Sequence, residues 1–198
     1  MRTRLTLLLL LQGMTATLAA QRTAPPPGAA VQSAPKEATQ FDFLVGQWEL
    51  TVTPKAAGLA QMIHGAPRYV GTWKAWKAFD GLGIEDELRV LDRSGNPAAL
   101  TVTMRVWSST ERRWVTTSVD AYRGRTAPAT ARWVNGEMLV DGQTVDPAGA
   151  AVLTRSRFTG IAPGRFRFVQ DRSTDGGKTW TTGAMTIEAT RVAATAPR

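Results

Sequence analysis

The chain contains no cysteine and a single histidine, His64. Without cysteine there are no disulfides, thiol nucleophiles, thiolate metal sites or lipid-modified cysteine anchors. One histidine without cysteine also makes zinc an unpromising expectation, because zinc needs several N or S ligands. Long apolar runs are equally scarce. Leu5 to Leu11, interrupted only by Thr6, is the longest, well short of the ~20 residues that span a bilayer. Beyond residue 46 no amphipathic helix of useful length is readable, which excludes parallel βαβ units.

What is present at the start is segmental. Arg2 and Arg4 precede the Leu5–Leu11 stretch, and Thr15-Ala16-Thr17-Leu18-Ala19-Ala20 follows it. A positive start, a short apolar core and a small-residue cleavage region are the layout of a secretory signal peptide. Residues 1–20 are therefore expected to direct export to the periplasm or beyond, without stable membrane insertion. Residues 21–38 hold Pro25-Pro26-Pro27-Gly28 and Pro35 among Ala, Gln and Ser. With so few large apolar residues they are expected to form a disordered tether. Residues 39–193 are left as one domain, with 194–198 as a tail, and its stability must come from a hydrophobic core.

The formal net charge is +8, of which Arg2 and Arg4 contribute two. The basic residues are spread along the chain instead of gathered in one run. This reads as a generally positive surface, and no nucleic-acid partner is expected.

After Trp48 the dominant pattern has a period of two. Trp48-Glu49-Leu50-Thr51-Val52-Thr53, Leu100-Thr101-Val102-Thr103-Met104-Arg105-Val106 and Met185-Thr186-Ile187-Glu188 each place an apolar residue at every second position. Such alternation predicts strands with one buried and one wet face. Asn135-Gly136, between Trp133-Val134 and Met138-Leu139, is the strongest hairpin signal. Ten strands are expected, near 46–53, 68–79, 83–91, 99–107, 112–122, 130–134, 137–141, 151–159, 165–173 and 179–192, after a short helical turn within 37–45. Hairpin-linked antiparallel strands stack as a sandwich or close as a barrel. Closure removes exposed edges and favours an all-β, up-and-down, lipocalin-like barrel of about 8–10 strands. The segment Pro54–Pro67, with Met62, Ile63 and His64, is expected to form a loop or lid at one mouth.

Phe41-Asp42-Phe43-Leu44-Val45-Gly46-Gln47-Trp48 resembles the opening of a family of exported or small bacterial proteins of uncharacterised function that begin Phe-Asp-Phe-x-x-Gly-x-Trp. Phe166-x-Phe168-x-Gln170-x-Arg172-Ser173-x-Asp175-Gly176-Gly177-Lys178-Thr179-Trp180 and Ile187-Glu188-x-Thr190-Arg191 are similar to the C-terminal half of the same family. The resemblance runs from Phe41 to Arg191. It implies a lipocalin-like barrel and no particular activity. Gly46-x-Trp48 is also similar to the first-strand motif of lipocalins, in which the Trp plugs the closed end beneath a basic residue of the last strand. Arg191 is in phase to fill that role, so Gly46, Trp48 and Arg191 are expected to be structural.

Ser173–Trp180 fits an Asp-box, a pattern that recurs in sialidase-like propellers. A propeller needs repeated copies, and a single one reads as a well-made hairpin, with Asp175 and Trp180 structural. No Gly-x-Ser-x-Gly elbow accompanies His64, and no activated serine stands out. No cofactor is expected. Haem held by His64 is the alternative to that expectation, but the small barrels of this Gly-x-Trp kind that bind haem do so through a late-strand histidine absent here.

In Glu85-Asp86-Glu87, Asp86 shares its phase with Ile84 and Leu88 and is expected to point inward, the two glutamates outward. An inward carboxylate needs a partner. Arg172, in phase with Phe166, Phe168 and Gln170, is the candidate. The expected site is thus a lumen with Trp73, Met104, Phe168 and Met185 as apolar walls and Asp86, Gln170 and Arg172 as polar contacts. The sequence favours a non-enzymatic binder of a small amphipathic ligand. Its alternatives are a ligand-free envelope interaction module using the basic outer face and, third, an enzyme of unrecognised class.

Overall fold

The computed structural model describes residues 33–55 and 67–193. Ten antiparallel strands form a closed barrel in which each strand pairs with its sequence neighbours and the last returns to the first. They are β1 Gly46–Pro54, β2 Tyr69–Ala78, β3 Gly83–Leu91, β4 Pro97–Ser108, β5 Arg113–Asp120, β6 Arg125–Val134, β7 Glu137–Val145, β8 Ala151–Ala162, β9 Arg165–Ser173 and β10 Thr181–Arg191. Short 3-10 turns at Lys36–Thr39 and Asp42–Leu44 precede β1, and a third covers Phe79–Gly81. The expected single turn within 37–45 is thus two turns. Folded structure also starts before residue 39, since Ala38 is buried.

Strands β6 and β7 run longer than their sequence pattern suggested. The added part of β6, Arg125-Thr126-Ala127-Pro128-Ala129, has no large apolar side chain, and Pro128 argues against a central strand. The register explains how the proline is accommodated: Pro128 pairs with Thr117 of β5, but pairing with β7 begins only at Ala129. Its missing N–H therefore falls where β6 is still unpaired on that side. At the other end of the hairpin, Asn135 and Gly136 both have positive φ, +51° and +84°, as a type I′ turn requires.

The up-and-down order gives the barrel two different ends. The β2–β3, β4–β5, β6–β7 and β8–β9 connections share one end with the N-terminal 3-10 turns. There Phe41 packs edge-on against Trp114 at 4.9 Å, and Phe43 packs against Phe158 and Phe166 at 5.4 and 5.9 Å. Gln40 accepts a hydrogen bond from Trp114 Nε1, and the Leu44 carbonyl accepts one from Trp48 Nε1 at 2.7 Å. The opening motif is therefore a plug: its aromatic residues fill this end, while its backbone and amide groups satisfy the indole donors that would otherwise be buried unpaired.

Arg191 locks the plug in place. Its guanidinium lies 4.1 Å from the Trp48 ring centroid. It donates to the carbonyls of Val45, Phe43 and Pro163. Trp48 and Arg191 are directly opposite in the β1–β10 register, as their phases predicted. Gly46 has φ +129°, and a Cβ there would lie 2.3 Å from Arg191 Nη1. The glycine of the Gly-x-Trp motif is thus explained by close approach as well as by backbone conformation.

Strand β4 contradicts its own sequence pattern. Leu100, Val102, Met104 and Val106 alternate as a buried face should, yet Thr103 and Arg105 are the residues turned into the barrel and buried. Met104 lies on the outer face, 39% exposed. Its β5 neighbours behave alike: Thr116 is buried, whereas Val115 and Val119 are exposed. The result is an apolar outer surface and a hydroxyl-rich inner one. The physical reason is a charge pair that fixes the register, described below.

Candidate functional site

The half of the barrel away from the plug is hollow. A cavity of about 580 Å³ opens here, whereas the plugged end is filled with aromatic side chains. Its walls differ in chemistry. Leu88, Trp73, Phe158, Phe168, Met185 and Ile187 supply apolar surface, and Thr101, Thr103, Ser118, Thr144, Thr154 and Ser156 supply hydroxyls. Small residues at Ala127, Ala129 and Gly142 leave the space unfilled. Apolar walls with a few placed polar groups are the usual composition of small-molecule sites.

Asp86 points inward and is 1% exposed. Its partner is not Arg172. Arg105 of β4 donates from Nε to Asp86 Oδ2 at 2.7 Å, and Trp73 Nε1 donates to Oδ1 at 2.8 Å. Both carboxylate oxygens are thus satisfied by donors from the two strands flanking β3. The Arg105 guanidinium also lies 5.0 Å from the Phe41 ring centroid, which ties this cluster to the plug. Burying Asp86 without Arg105 would leave a lone charge in the barrel. The pair therefore explains why β4 turns Arg105, and with it Thr103, inward and Met104 outward. As expected, Glu85 and Glu87 point the other way. Glu85 accepts from Trp76 Nε1, and Arg89 beside Glu87 holds that carboxyl below its ordinary range.

Of the residues expected in the lumen, Trp73, Asp86, Phe168, Gln170 and Met185 do line the cavity. Gln170 donates to Ser156 Oγ at 3.3 Å. Arg172 lines it as well, but it is exposed and has no carboxylate partner among the described residues. Met104 is excluded by its outward orientation. Arg105 and the hydroxyl wall are not legible in the sequence pattern, because the alternation of β4 points its apolar residues, Met104 among them, to the inner face. The available signal was Arg105 itself, two residues from Thr103 and able to face an inward Asp86.

Across the mouth, Arg123 pairs with Asp120, and Arg125 donates to the Asp146 carbonyl. The Asp-box forms the β9–β10 hairpin at the same end. Asp175 accepts from Ser173 Oγ, Thr179 N and Thr179 Oγ1, and these bonds hold its carboxyl well below the usual carboxylate range. Trp180 Nε1 donates to the Gly177 carbonyl, and Arg155 stacks on its ring at 4.0 Å. The side chains of Ser173, Asp175, Thr179 and Trp180 are thus all bonded within the turn, which gives the box a structural role. The Met62–His64 segment lies outside the described residues. Among the described residues no cluster of His, Asp or Glu is arranged to hold a metal ion, and no helix is long and apolar enough to cross a membrane.

No protein-family model and no curated protein matches the chain. Among solved structures the chain resembles an S-type phycobiliprotein lyase, CPES, from Guillardia theta. That likeness has a TM-score of 0.51 and 11% identity, and it covers 79% of this chain and 92% of the lyase. A second likeness is to the DFHBI-bound protein EF1p2_mFAP2b, with a TM-score of 0.37, 11% identity, and coverage of 78% and 98%. At such identity the first likeness is one of fold, and the second adds nothing to it.

Proposed function

We propose that this protein is an exported, non-enzymatic binder that holds a small amphipathic molecule in the open half of its barrel. The observation that carries this reading is the contrast between the two ends. The same strands that pack solidly around Trp48, Trp114 and Phe166 carry Ala127, Ala129 and Gly142 farther along. A closed barrel of about eight strands is already wide enough for one small ligand where side chains leave room, and the small side chains of this ten-stranded barrel leave about 580 Å³. The two-sided wall then suits a molecule with an apolar body and polar edges. Export rests on the Arg2–Ala20 segment, and amino-terminal sequencing of the mature protein should find a start near residue 21.

Native mass spectrometry of the protein purified gently from its own envelope fraction tests the binder reading. A discrete added mass, lost when Ala129→Phe fills the cavity, is the expected result. A clean apo mass that does not shift with a panel of lipids, haem and small organic acids would refute it.

A further inference from the structure

Arg105 is a buried arginine with only part of its bonding capacity used. It is 6% exposed. Its Nε is engaged by Asp86, and the Phe41 ring packs near its guanidinium. Among the described residues no acceptor meets its two terminal nitrogens, yet no buried polar side-chain atom is sealed off without a partner. Those nitrogens therefore keep access to the cavity that Arg105 lines. Buried donors left open to a cavity in this way are placed for an acceptor that the protein does not supply.

The nearby groups narrow what that acceptor is. Each oxygen of Asp86 already accepts one bond, and at 1% exposure little of its remaining acceptor capacity is open to a ligand donor. Thr103 Oγ1 and Ser118 Oγ hydrogen-bond each other, and Thr116 Oγ1 donates to the Ala129 carbonyl. What this floor offers is mainly donors, those of Arg105. The charge of Arg105 is, however, already balanced by Asp86. A carboxylate brought here would add a second negative charge beside Asp86 in a poorly solvated place, with the desolvation penalty of an extra buried ion. A carbonyl oxygen fulfils the same hydrogen bonds without that penalty. Around it stand the rings of Trp73, Phe158 and Phe168.

We infer that Arg105 is the specificity-determining residue of the lumen, and that it selects an uncharged ligand whose leading end carries a carbonyl-type acceptor on an apolar, ring-bearing body. This inference rests on the lumen-binding reading above and adds the ligand class to it. Asp86, Trp73 and Phe41 act through Arg105 as positioning residues, fixing the donor edge before the ligand arrives.

Three probes of one shape separate the possibilities: fluorene, its ketone fluorenone, and fluorene carboxylate, each measured by equilibrium dialysis. The expected result is that fluorenone binds at least about tenfold more tightly than either relative, as one hydrogen bond to a charged donor provides. In Arg105→Met that preference should vanish while fluorene binding persists. Should Arg105→Met not fold, the Asp86→Asn/Arg105→Met double variant serves the same comparison. Equal binding of fluorene and fluorenone, both blocked by Ala129→Phe, would overturn the inference and leave the lumen reading intact. Tightest binding of the carboxylate, lost in Arg105→Met, would overturn the choice of an uncharged acceptor. Failure of all three probes to bind also overturns the inference, and the mass-spectrometric result then decides the lumen reading separately.

Discussion

The guanidinium of Arg191 covers the indole of Trp48 at 4.1 Å while donating to three carbonyls, two of them from the segment that enters β1. One side chain of the last strand thus holds both the first strand and the plug that precedes it. The two ends of the chain's folded part are joined through it, so its loss should be felt by the whole barrel.

Arg191→Met is expected to lower stability by about 2 kcal/mol, from the lost cation–π contact and the carbonyls left without their donor. Gly46→Ala should act through the same contact. Its new Cβ would displace Nη1 and would sit at a φ that non-glycine residues avoid, for a loss of about 1–3 kcal/mol. Urea unfolding followed by tryptophan fluorescence reads both as a lower midpoint with an unchanged slope. Near-wild-type midpoints would mean that the plug is held by its aromatic packing alone.

Asp86 and Arg105 should behave as a pair. Asp86→Ala leaves a buried guanidinium uncompensated and is expected to cost about 3–5 kcal/mol. In Asp86→Asn/Arg105→Met both charges go, while an amide oxygen still accepts from Trp73 Nε1. The double variant should therefore be more stable than Asp86→Ala. The same unfolding measurement checks this order, and a double variant less stable than the single would show that the pair contributes net stability.

This pair also marks where sequence reading succeeded and where it failed. The barrel was legible because antiparallel strands bury one face, and Trp48, Leu50, Val52, Met185 and Ile187 all kept the phase their alternation implied. The Trp48–Arg191 contact was legible because both residues fall in that phase at the matched ends of paired strands. Alternation reports only that the two faces differ, however, and the apolar face is the inner one only where the interior is apolar. In β4 the interior is a charge pair and a hydroxyl wall, so Val102 and Met104 face outward. The partner of Asp86 was misassigned for the same reason. An arginine in phase with Thr101 and Thr103 has the pattern of a wet face, and Arg172 in phase with Phe166 and Phe168 that of a buried one.

The inverted phase makes a sharp prediction at Met104. If its side chain filled the lumen, Met104→Lys would bury an unpaired ammonium and unfold much of the population. On the outer face, Met104 lies directly across from Glu85 of β3. A lysine there meets an opposite charge, so the change should stay within about 0.5 kcal/mol of wild type. A large drop in the urea midpoint would reverse the assignment of β4.

Asp175 supplies the pH dependence of the cavity's rim. Three donors from Ser173 and Thr179 stabilise its ionised form, so its folded-state pKa is depressed below the unfolded value of about 3.9. A depressed carboxylate pKa adds stability that is fully present above the unfolded value. It is lost only as pH falls through the lower, folded one. The β9–β10 hairpin should therefore hold unchanged from neutral pH down to about pH 4 and open only in stronger acid. Asp175→Asn removes the charge at every pH and should loosen the turn even at neutrality. Amide hydrogen exchange at Gly177 and Thr179, corrected for intrinsic rates, measures this directly. Protection in the wild type that already declines between pH 6 and 5, or an Asp175→Asn variant as protected as wild type, would show that the carboxylate does not hold the turn.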